Sequence, residues 1–122
     1  MQGKRPKILV VDDDPDILDF LQDLLNLENY TVVITEQAEY LEQLHDGGLP
    51  DLILIDILLS GKDGREIIRH LKSQERNRYV PVIMFSAHPS AETTALEAGA
   101  DDFLAKPFEM DELLAKIKKW TS

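Results

Sequence analysis

Carboxylate side chains stand at the ends of two apolar segments of this sequence, in positions where they could share a cation. Asp12 and Asp13 follow the run Ile8–Val11, and Asp56 follows the run Leu52–Ile55. Two carboxylates about 4 Å apart repel each other by roughly 4 kcal/mol at an effective dielectric constant near 20. Repulsion of that size is a large fraction of the stability of a small domain, so we expect the chain either to separate these charges or to use them.

Magnesium binding is the chemistry that suits such a cluster. Mg2+ is usually held by one or two carboxylates, with water molecules and a substrate phosphate completing its octahedron. A softer metal is less favoured, because the chain has no cysteine and its histidines, His45, His70 and His88, lie elsewhere in the sequence. The acidic cluster therefore predicts a site for a hard divalent cation.

Two further polar residues follow apolar runs and complete a set for phosphoryl chemistry. Ser86 follows Val82–Phe85, and Lys106 follows Phe103–Ala105. An aspartate beside a metal and a lysine is a reasonable nucleophile towards phosphorus, and a lysine and a hydroxyl can hold the oxygens of the transferring group. Asp56 is the best nucleophile candidate because it stands alone at the end of its strand. Each residue alone could be an ordinary cap or turn residue, so the prediction depends on their joint placement.

The elements that must position these residues alternate along the chain. Five short apolar segments are the candidate strands: Ile8–Val11, Tyr30–Thr35, Leu52–Ile55, Val82–Phe85 and Phe103–Ala105. Amphipathic segments separate them, and this alternation predicts an α/β fold with a doubly wound parallel sheet and helices on both faces. Ligands on such sheets bind at the carboxyl ends of the strands, which is where the polar residues lie.

Apolar residues at helical spacing predict five helices. The first begins at Pro15 with Asp14 as its N-cap. The other four are marked by the segments Ala38–Leu44, Ile67–Leu71, Ala91–Ala98 and Met110–Ile117. Glycines are expected to end two of them, Gly47 and Gly48 after the second helix and Gly99 after the fourth.

Length and composition bound the function. At 122 residues the chain is long enough for one domain with a buried core, and we expect residues 1–6 to be a flexible tail and no output domain to be present. The net charge of -10 repels nucleic acid and anionic lipid, so direct DNA binding is not expected. No apolar run approaches the roughly 20 residues of a membrane span, no signal-type segment follows Met1, and the lack of cysteine agrees with a cytoplasmic location.

Four segments in order, ILVVDDDPDIL, DLILID, PVIMFSA and AGADDFLAKPF, resemble the receiver domain of bacterial two-component response regulators. The resemblance extends from Lys7 to about Trp120 and implies a flavodoxin-like, five-stranded parallel sheet in the order 2-1-3-4-5. It also implies that Asp56 is the phosphoacceptor. Asp13 would be a direct Mg2+ ligand, and Asp12 would act through a water molecule.

The resemblance assigns roles to further positions. The backbone carbonyl of Leu58 would be another metal ligand. Ser86 would be the switch hydroxyl, Phe103 the switch aromatic, and Lys106 the lysine that contacts the phosphoryl group. The peptide bond from Lys106 to Pro107 would be cis, which is inexpensive only before proline.

The sequence departs from the family pattern in three places. Ser60 stands where the loop after the phosphoacceptor commonly has proline, and Ser86 replaces the commoner threonine. The segment that carries the fourth helix is short, so partner choice is the part of the resemblance that transfers least. Leu58 and His88 flank the phosphoryl position in this family. An apolar Leu58 orients no water, whereas His88 either orients one or lies in solvent.

The implied function is that of a phosphorylation-dependent switch in a two-component system. A sensor histidine kinase or a phosphotransfer protein would donate the phosphoryl group from a phosphohistidine. The resulting aspartyl phosphate would alter an output face made by the fourth helix, the fifth strand and the fifth helix. That face would contact a downstream effector or, in a phosphorylation-dependent homodimer, a second copy. Slow autodephosphorylation would reset the switch, and no other enzymatic activity is expected.

Other functions fit the sequence less well. A haloacid-dehalogenase-type phosphatase needs a second aspartate two residues after the nucleophile, where this chain has Leu58. Neither G-x-x-x-x-G-K-[ST] nor G-x-G-x-x-G occurs, which disfavours a nucleotide-binding protein. The alternative that stays open is a receiver-shaped interaction module that works without phosphorylation.

Overall fold

Five parallel strands form the central sheet of the computed structural model, which describes residues 5–44, 48–59, 61–75 and 77–122. The strands are β1 Lys7–Val11, β2 Thr31–Thr35, β3 Leu52–Asp56, β4 Val82–Ser86 and β5 Asp102–Ala105. Their order across the sheet is β2-β1-β3-β4-β5, the flavodoxin-like order that the resemblance implied. All five predicted strands are confirmed, each within one residue at either end.

Helices cover both faces of this sheet, as the alternation predicted. Helices α1 (Pro15–Leu27) and α4 (Met110–Thr121) pack on one face. Helices α2 (Gly64–Lys72) and α3 (Glu92–Ala98) pack on the other, together with a 3-10 helix at Ala38–Gln43. Successive residues of a strand point to opposite faces, so the apolar strands supply both cores at once.

The start of α1 shows how the sequence places its first acidic residues. Asp14 is the N-cap, and its side chain accepts a hydrogen bond of 3.0 Å from the backbone N–H of Asp16. Pro15 occupies the first helical position, where no intrahelical donor is needed. Only three residues, 12–14, therefore separate β1 from the helix, and Asp12 and Asp13 are confined to this short connection.

The second predicted helix is shorter than expected and is a 3-10 helix of six residues, Ala38–Gln43. Ala38 and Leu41 in this helix and Leu44 at its C-cap are all buried and recur every three residues. That spacing matches a helix with three residues per turn, which places the three side chains on one side. The expected end at Gly47 lies outside the described residues.

The ends of two other segments also bear on the predictions. Gly99 ends α3 with a φ of 118°, the left-handed conformation that glycine adopts without a steric penalty. In the expected N-terminal tail, residues 1–4 lie outside the described part of the chain, whereas the Pro6 carbonyl accepts a hydrogen bond of 2.9 Å from Thr31 N–H. Within the described ranges, no helix combines the length and the apolar character needed to cross a bilayer.

Candidate phosphoacceptor and metal site

The carboxyl ends of β1 and β3 bring three aspartates together. One carboxylate oxygen from each of Asp12, Asp13 and Asp56 lies within 4.8 Å of the other two. The ammonium of Lys106, which follows β5, is 3.1 Å from Asp12 Oδ2 and 3.1 Å from Asp56 Oδ2. Four of the predicted site residues therefore converge, and one positive charge lies between two of the acids.

Asp12 is the buried member of the cluster, with no exposed surface. Its Oδ1 accepts a hydrogen bond of 2.9 Å from Asp14 N–H, and its Oδ2 accepts one from Lys106. Burial raises the pKa of Asp12 above its ordinary value, and the charge of Asp56 adds to that increase, although the bonds from Asp14 and Lys106 oppose it. The cluster thus holds one carboxylate whose charge is costly unless a cation stays near it.

Lys106 is fixed by contacts on several sides. Its backbone N–H donates to the Ser86 carbonyl at 2.8 Å, and its ammonium lies 4.8 Å from the centre of the Phe85 ring. The peptide bond from Lys106 to Pro107 is cis. Burial lowers the pKa of Lys106, but the charges and hydrogen bonds of Asp12 and Asp56 outweigh that effect and the pKa is raised. Lys106 therefore stays a cation at neutral pH.

Asp56 is held at the end of β3 by its neighbours in the following loop. Its Oδ1 accepts a hydrogen bond of 3.4 Å from Leu58 N–H, while the side chain of Leu58 is 62% exposed. The residue that closes the loop, Gly64, passes so near that an added Cβ would lie 2.5 Å from the backbone oxygen of Asp56. Real Cβ atoms essentially never come that close to backbone, so only glycine fits at the start of α2.

Ser86 and Phe103, the two predicted switch residues, lie on adjacent strands at different distances from the rim, which is the edge formed by the carboxyl ends of the strands. Ser86 ends β4 beside Ala105, is 5% exposed, and its Oγ accepts a hydrogen bond of 3.0 Å from His88 N–H. Phe103 pairs with Met84 two residues further from the rim and is buried in the core under α2 and α3. Ser86 is thus at the rim with the acids, whereas Phe103 is beneath it.

Sequence reasoning missed two residues that shape the site. Gly64 is not among the predicted site residues, although a glycine that opens a helix soon after Asp56 is a signal of close backbone approach. Phe85 is predicted only as the last residue of a strand, yet its ring lies against the ammonium of Lys106 at a distance typical of a cation–π contact. No sequence signal identifies that contact, because it depends on the path of the Lys106 side chain.

The donor set fits a magnesium ion. Three carboxylates offer hard oxygen ligands at one point, and the chain has no cysteine to favour a softer metal. The three aspartates also differ in exposure, which affects how each could contact a cation. Asp13 is exposed and Asp56 is partly exposed, whereas Asp12 has no exposed surface. The arrangement therefore offers Asp13 and Asp56 for direct contact with a cation and leaves Asp12 behind them.

Comparison with known proteins agrees with this geometry. The sequence matches the family described as response regulator receiver domain over residues 8–118. It is 39% identical to the transcriptional regulatory protein CpxR of Escherichia coli (strain K12) over 114 residues, which are 92% of this chain and 47% of CpxR. The chain therefore spans about half the length of this curated relative.

Solved structures show the same likeness. A protein described as a response regulator from Chloroflexus aurantiacus J-10-fl superimposes with a TM-score of 0.89 at 32% identity, covering 97% of this chain and 98% of that one. The response regulator TrrA from Thermotoga maritima, solved in complex with Mg(2+)-BeF, superimposes with a TM-score of 0.82 at 30% identity, covering 94% of this chain and 98% of that one. With the family match across nearly its whole length, the chain belongs to the response regulator receiver domains.

Proposed function

We propose that Asp56 accepts a phosphoryl group from a phosphohistidine and that this modification switches the domain between two signalling states. The observation that carries the proposal is the position of the Asp56 carboxylate, 3.1 Å from the Lys106 ammonium and within 4.8 Å of two further carboxylates. An aspartate that only packs in a core or caps a helix would not need an ammonium and two further carboxylates beside it. In a receiver domain the arrangement suits transfer to a carboxylate rather than hydrolysis of a diffusing substrate.

The chemical step needs little beyond positioning and charge. An oxygen of Asp56 forms a bond to phosphorus while the bond from phosphorus to the donor histidine nitrogen breaks, and the electron pair stays on that nitrogen. Asp13, Asp56 and the Leu58 carbonyl would hold Mg2+ directly, with Asp12 acting through water. When bound, the ion would act as a Lewis acid and neutralise charge on the phosphoryl oxygens. Lys106 contributes a second fixed positive charge on the opposite side.

The switch would start at Ser86. Its oxygen accepts a hydrogen bond from His88 N–H, so the hydroxyl hydrogen is free to be donated to a phosphoryl oxygen. Movement of Ser86 towards Asp56 would open space at the rim above Phe103, and a shift of that ring would alter the surface of α3, β5 and α4. A downstream effector or a second copy of the chain would bind this surface.

An apolar groove beside the rim offers a surface on which the phosphoryl donor would pack. The groove has a volume of about 360 Å³ and is lined by Ile17, Phe20, Ala87, Lys106, Pro107 and Phe108. Next to it, α1 exposes the carboxylates of Asp16, Asp19 and Asp23. A protein with an apolar anchor flanked by lysine or arginine complements this surface, which supports a kinase or phosphotransfer protein of the cytoplasm as the donor.

Acetyl phosphate tests the phosphoacceptor directly. The protein is incubated with Mg2+ and acetyl phosphate, and its intact mass is compared with that of an untreated sample. We expect a gain of one phosphoryl group in the wild type and none in Asp56→Asn or in the presence of a chelator. Glu75→Gln removes an exposed carboxylate that follows α2 and is the control, which should label as the wild type does. An unlabelled wild type would instead favour an interaction module that works without phosphorylation.

A further inference from the structure

Arg65 makes an unusual set of contacts on the first turn of α2. Its Nε donates to Asp63 Oδ1 at 2.9 Å and its Nη2 donates to Asp63 Oδ2 at 2.8 Å. Asp63 also caps the helix, since Oδ1 accepts from Arg65 N–H at 2.9 Å. This two-pronged pairing uses the guanidinium fork and leaves one nitrogen, Nη1, to point elsewhere.

The remaining nitrogen reaches the neighbouring helix. Arg65 Nη1 donates a hydrogen bond of 2.8 Å to Thr94 Oγ1 on α3, 29 residues away in sequence. The Thr94 hydroxyl in turn donates to the Ala91 carbonyl at 3.0 Å, which ties it to the first turn of its own helix. Arg65 therefore fastens the start of α2 to the start of α3.

The other end of this chain of contacts is the phosphoacceptor. Asp63 pairs with Leu58 in a two-residue antiparallel ladder, and Leu58 N–H donates to Asp56 Oδ1. Gly64, between Asp63 and Arg65, lies against the backbone oxygen of Asp56. A continuous series of hydrogen bonds and close contacts thus runs from Asp56 through the loop after it to α3, without passing through Ser86 or Phe103.

We propose that Arg65 is a positioning residue that couples the loop carrying Leu58 to α3 through Thr94. The inference rests on the proposed function, because it concerns the site at Asp56. When a cation and a phosphoryl group occupy that site, they contact the Leu58 backbone. Arg65 transmits any resulting shift of the loop to α3. Because coupling is reciprocal, a change at Thr94 alters cation binding at the acidic cluster, although Thr94 belongs to another helix.

The test uses the whole chain and Mg2+ alone as the probe. Titration calorimetry gives the Mg2+ concentration at half-saturation for the wild type and for Thr94→Val, which keeps the shape of the side chain and removes the acceptor. We expect that concentration to rise about two- to tenfold, the range that corresponds to one hydrogen bond. Thr94→Ser, which restores the hydroxyl, should bind as the wild type does. Thr93→Val, at the exposed neighbouring position, is the matched control and should also be unchanged.

A second variant and a second measurement separate coupling from general loosening. Arg65→Lys keeps the charge but loses the fork, and it should weaken Mg2+ binding at least as much as Thr94→Val does. Hydrogen exchange of residues 92–98 should respond to Mg2+ in the wild type and respond less in both variants. If Thr94→Val binds Mg2+ as tightly as Thr93→Val, the inference is wrong. A wild type that binds no Mg2+ would instead overturn the proposed function itself.

Discussion

The two faces of the sheet are built differently. On one face α1 and α4 are 13 and 12 residues long, and Leu18, Leu21 and Leu25 of α1 are buried against the strands together with Leu113 and Ile117 of α4. On the other face α2 and α3 have nine and seven residues, and the 3-10 helix has six. A groove of about 230 Å³ stays open between the 3-10 helix and α2, with Ala38, Leu41, Ile67 and Leu71 among its lining residues.

We infer from this difference that the two faces of the sheet contribute unequally to stability and to signalling. The long helices contribute buried leucine and isoleucine side chains to their core, whereas the short-helix face holds the contacts that lead away from Asp56, including Gly64, Arg65 and Thr94. Segments that move in a switch are drawn from the less stable parts of a fold, because they have to rearrange without unfolding the rest. We therefore expect mutations on the two faces to have different effects.

A matched pair of leucine truncations gives the largest expected contrast. Leu21→Ala on α1 should lower the free energy of unfolding by about 4 kcal/mol, because the side chain has no exposed surface and its loss leaves a sealed cavity. Leu41→Ala on the 3-10 helix should cost only about 2 kcal/mol, because the vacated space joins an open groove. Urea denaturation measures both values. Equal costs for the two variants would mean that the faces contribute alike.

Gly64→Ala tests the close backbone approach at the start of α2. The new Cβ would meet the backbone oxygens of Asp56 and Ile57, at 2.5 and 3.0 Å, and we expect a loss of about 2–3 kcal/mol in urea denaturation. Gly61→Ala is the control. It has a φ of 83° but no atom within 4 Å, so only backbone strain of about 1 kcal/mol applies. If Gly61→Ala cost as much, backbone conformation rather than crowding would limit the loop.

The smallest expected effect concerns the contact of α4 with β5. Asp102 accepts hydrogen bonds from Lys116 Nζ, Trp120 Nε1 and Phe103 N–H, each at 2.9 Å. Burial raises the pKa of Asp102, but these bonds outweigh it and hold the pKa below its ordinary value of 3.8. A carboxyl whose pKa is depressed by folding contributes stability above its unfolded pKa and loses it as the pH falls through the folded pKa.

Asp102→Asn should therefore reduce stability by about 1 kcal/mol at pH 7. The difference from the wild type should shrink below pH 3.8, where the unfolded carboxyl is protonated. Urea denaturation at a series of pH values measures the change. Asp23→Asn, at an exposed position of α1, should stay within about 0.5 kcal/mol of the wild type at pH 7. A deficit in Asp102→Asn that does not vary with pH would rule out the carboxylate charge as its cause.

The long-helix face was the more predictable of the two. The strands are continuous apolar runs, and the cap at Asp14 followed by Pro15 is a local signal, so sheet and first helix could be predicted from neighbouring residues. The meeting of Asp12, Asp13 and Asp56 with Lys106 also follows from the parallel sheet, because each residue ends or follows a strand.

The short-helix face carried features that no local pattern specifies. The segment Ala38–Gln43 has apolar residues whose spacing suits either an α-helix or a 3-10 helix over so few residues. The bond from Arg65 to Thr94 joins two polar residues far apart in sequence, and a periodicity argument assigns such residues to the solvated surface. Such contacts depend on the final distance between two helices, and that distance is set by the whole core.

Trp120 gives the chain a property of practical use. It is the single tryptophan, its ring lies 5.2 Å from the ammonium of Lys119, and its indole N–H donates to the first residue of β5. Indole fluorescence responds to nearby charge and to loss of such a bond. Emission from Trp120 therefore gives an unlabelled optical signal of the state of β5, which stopped-flow recording can follow after acetyl phosphate is added.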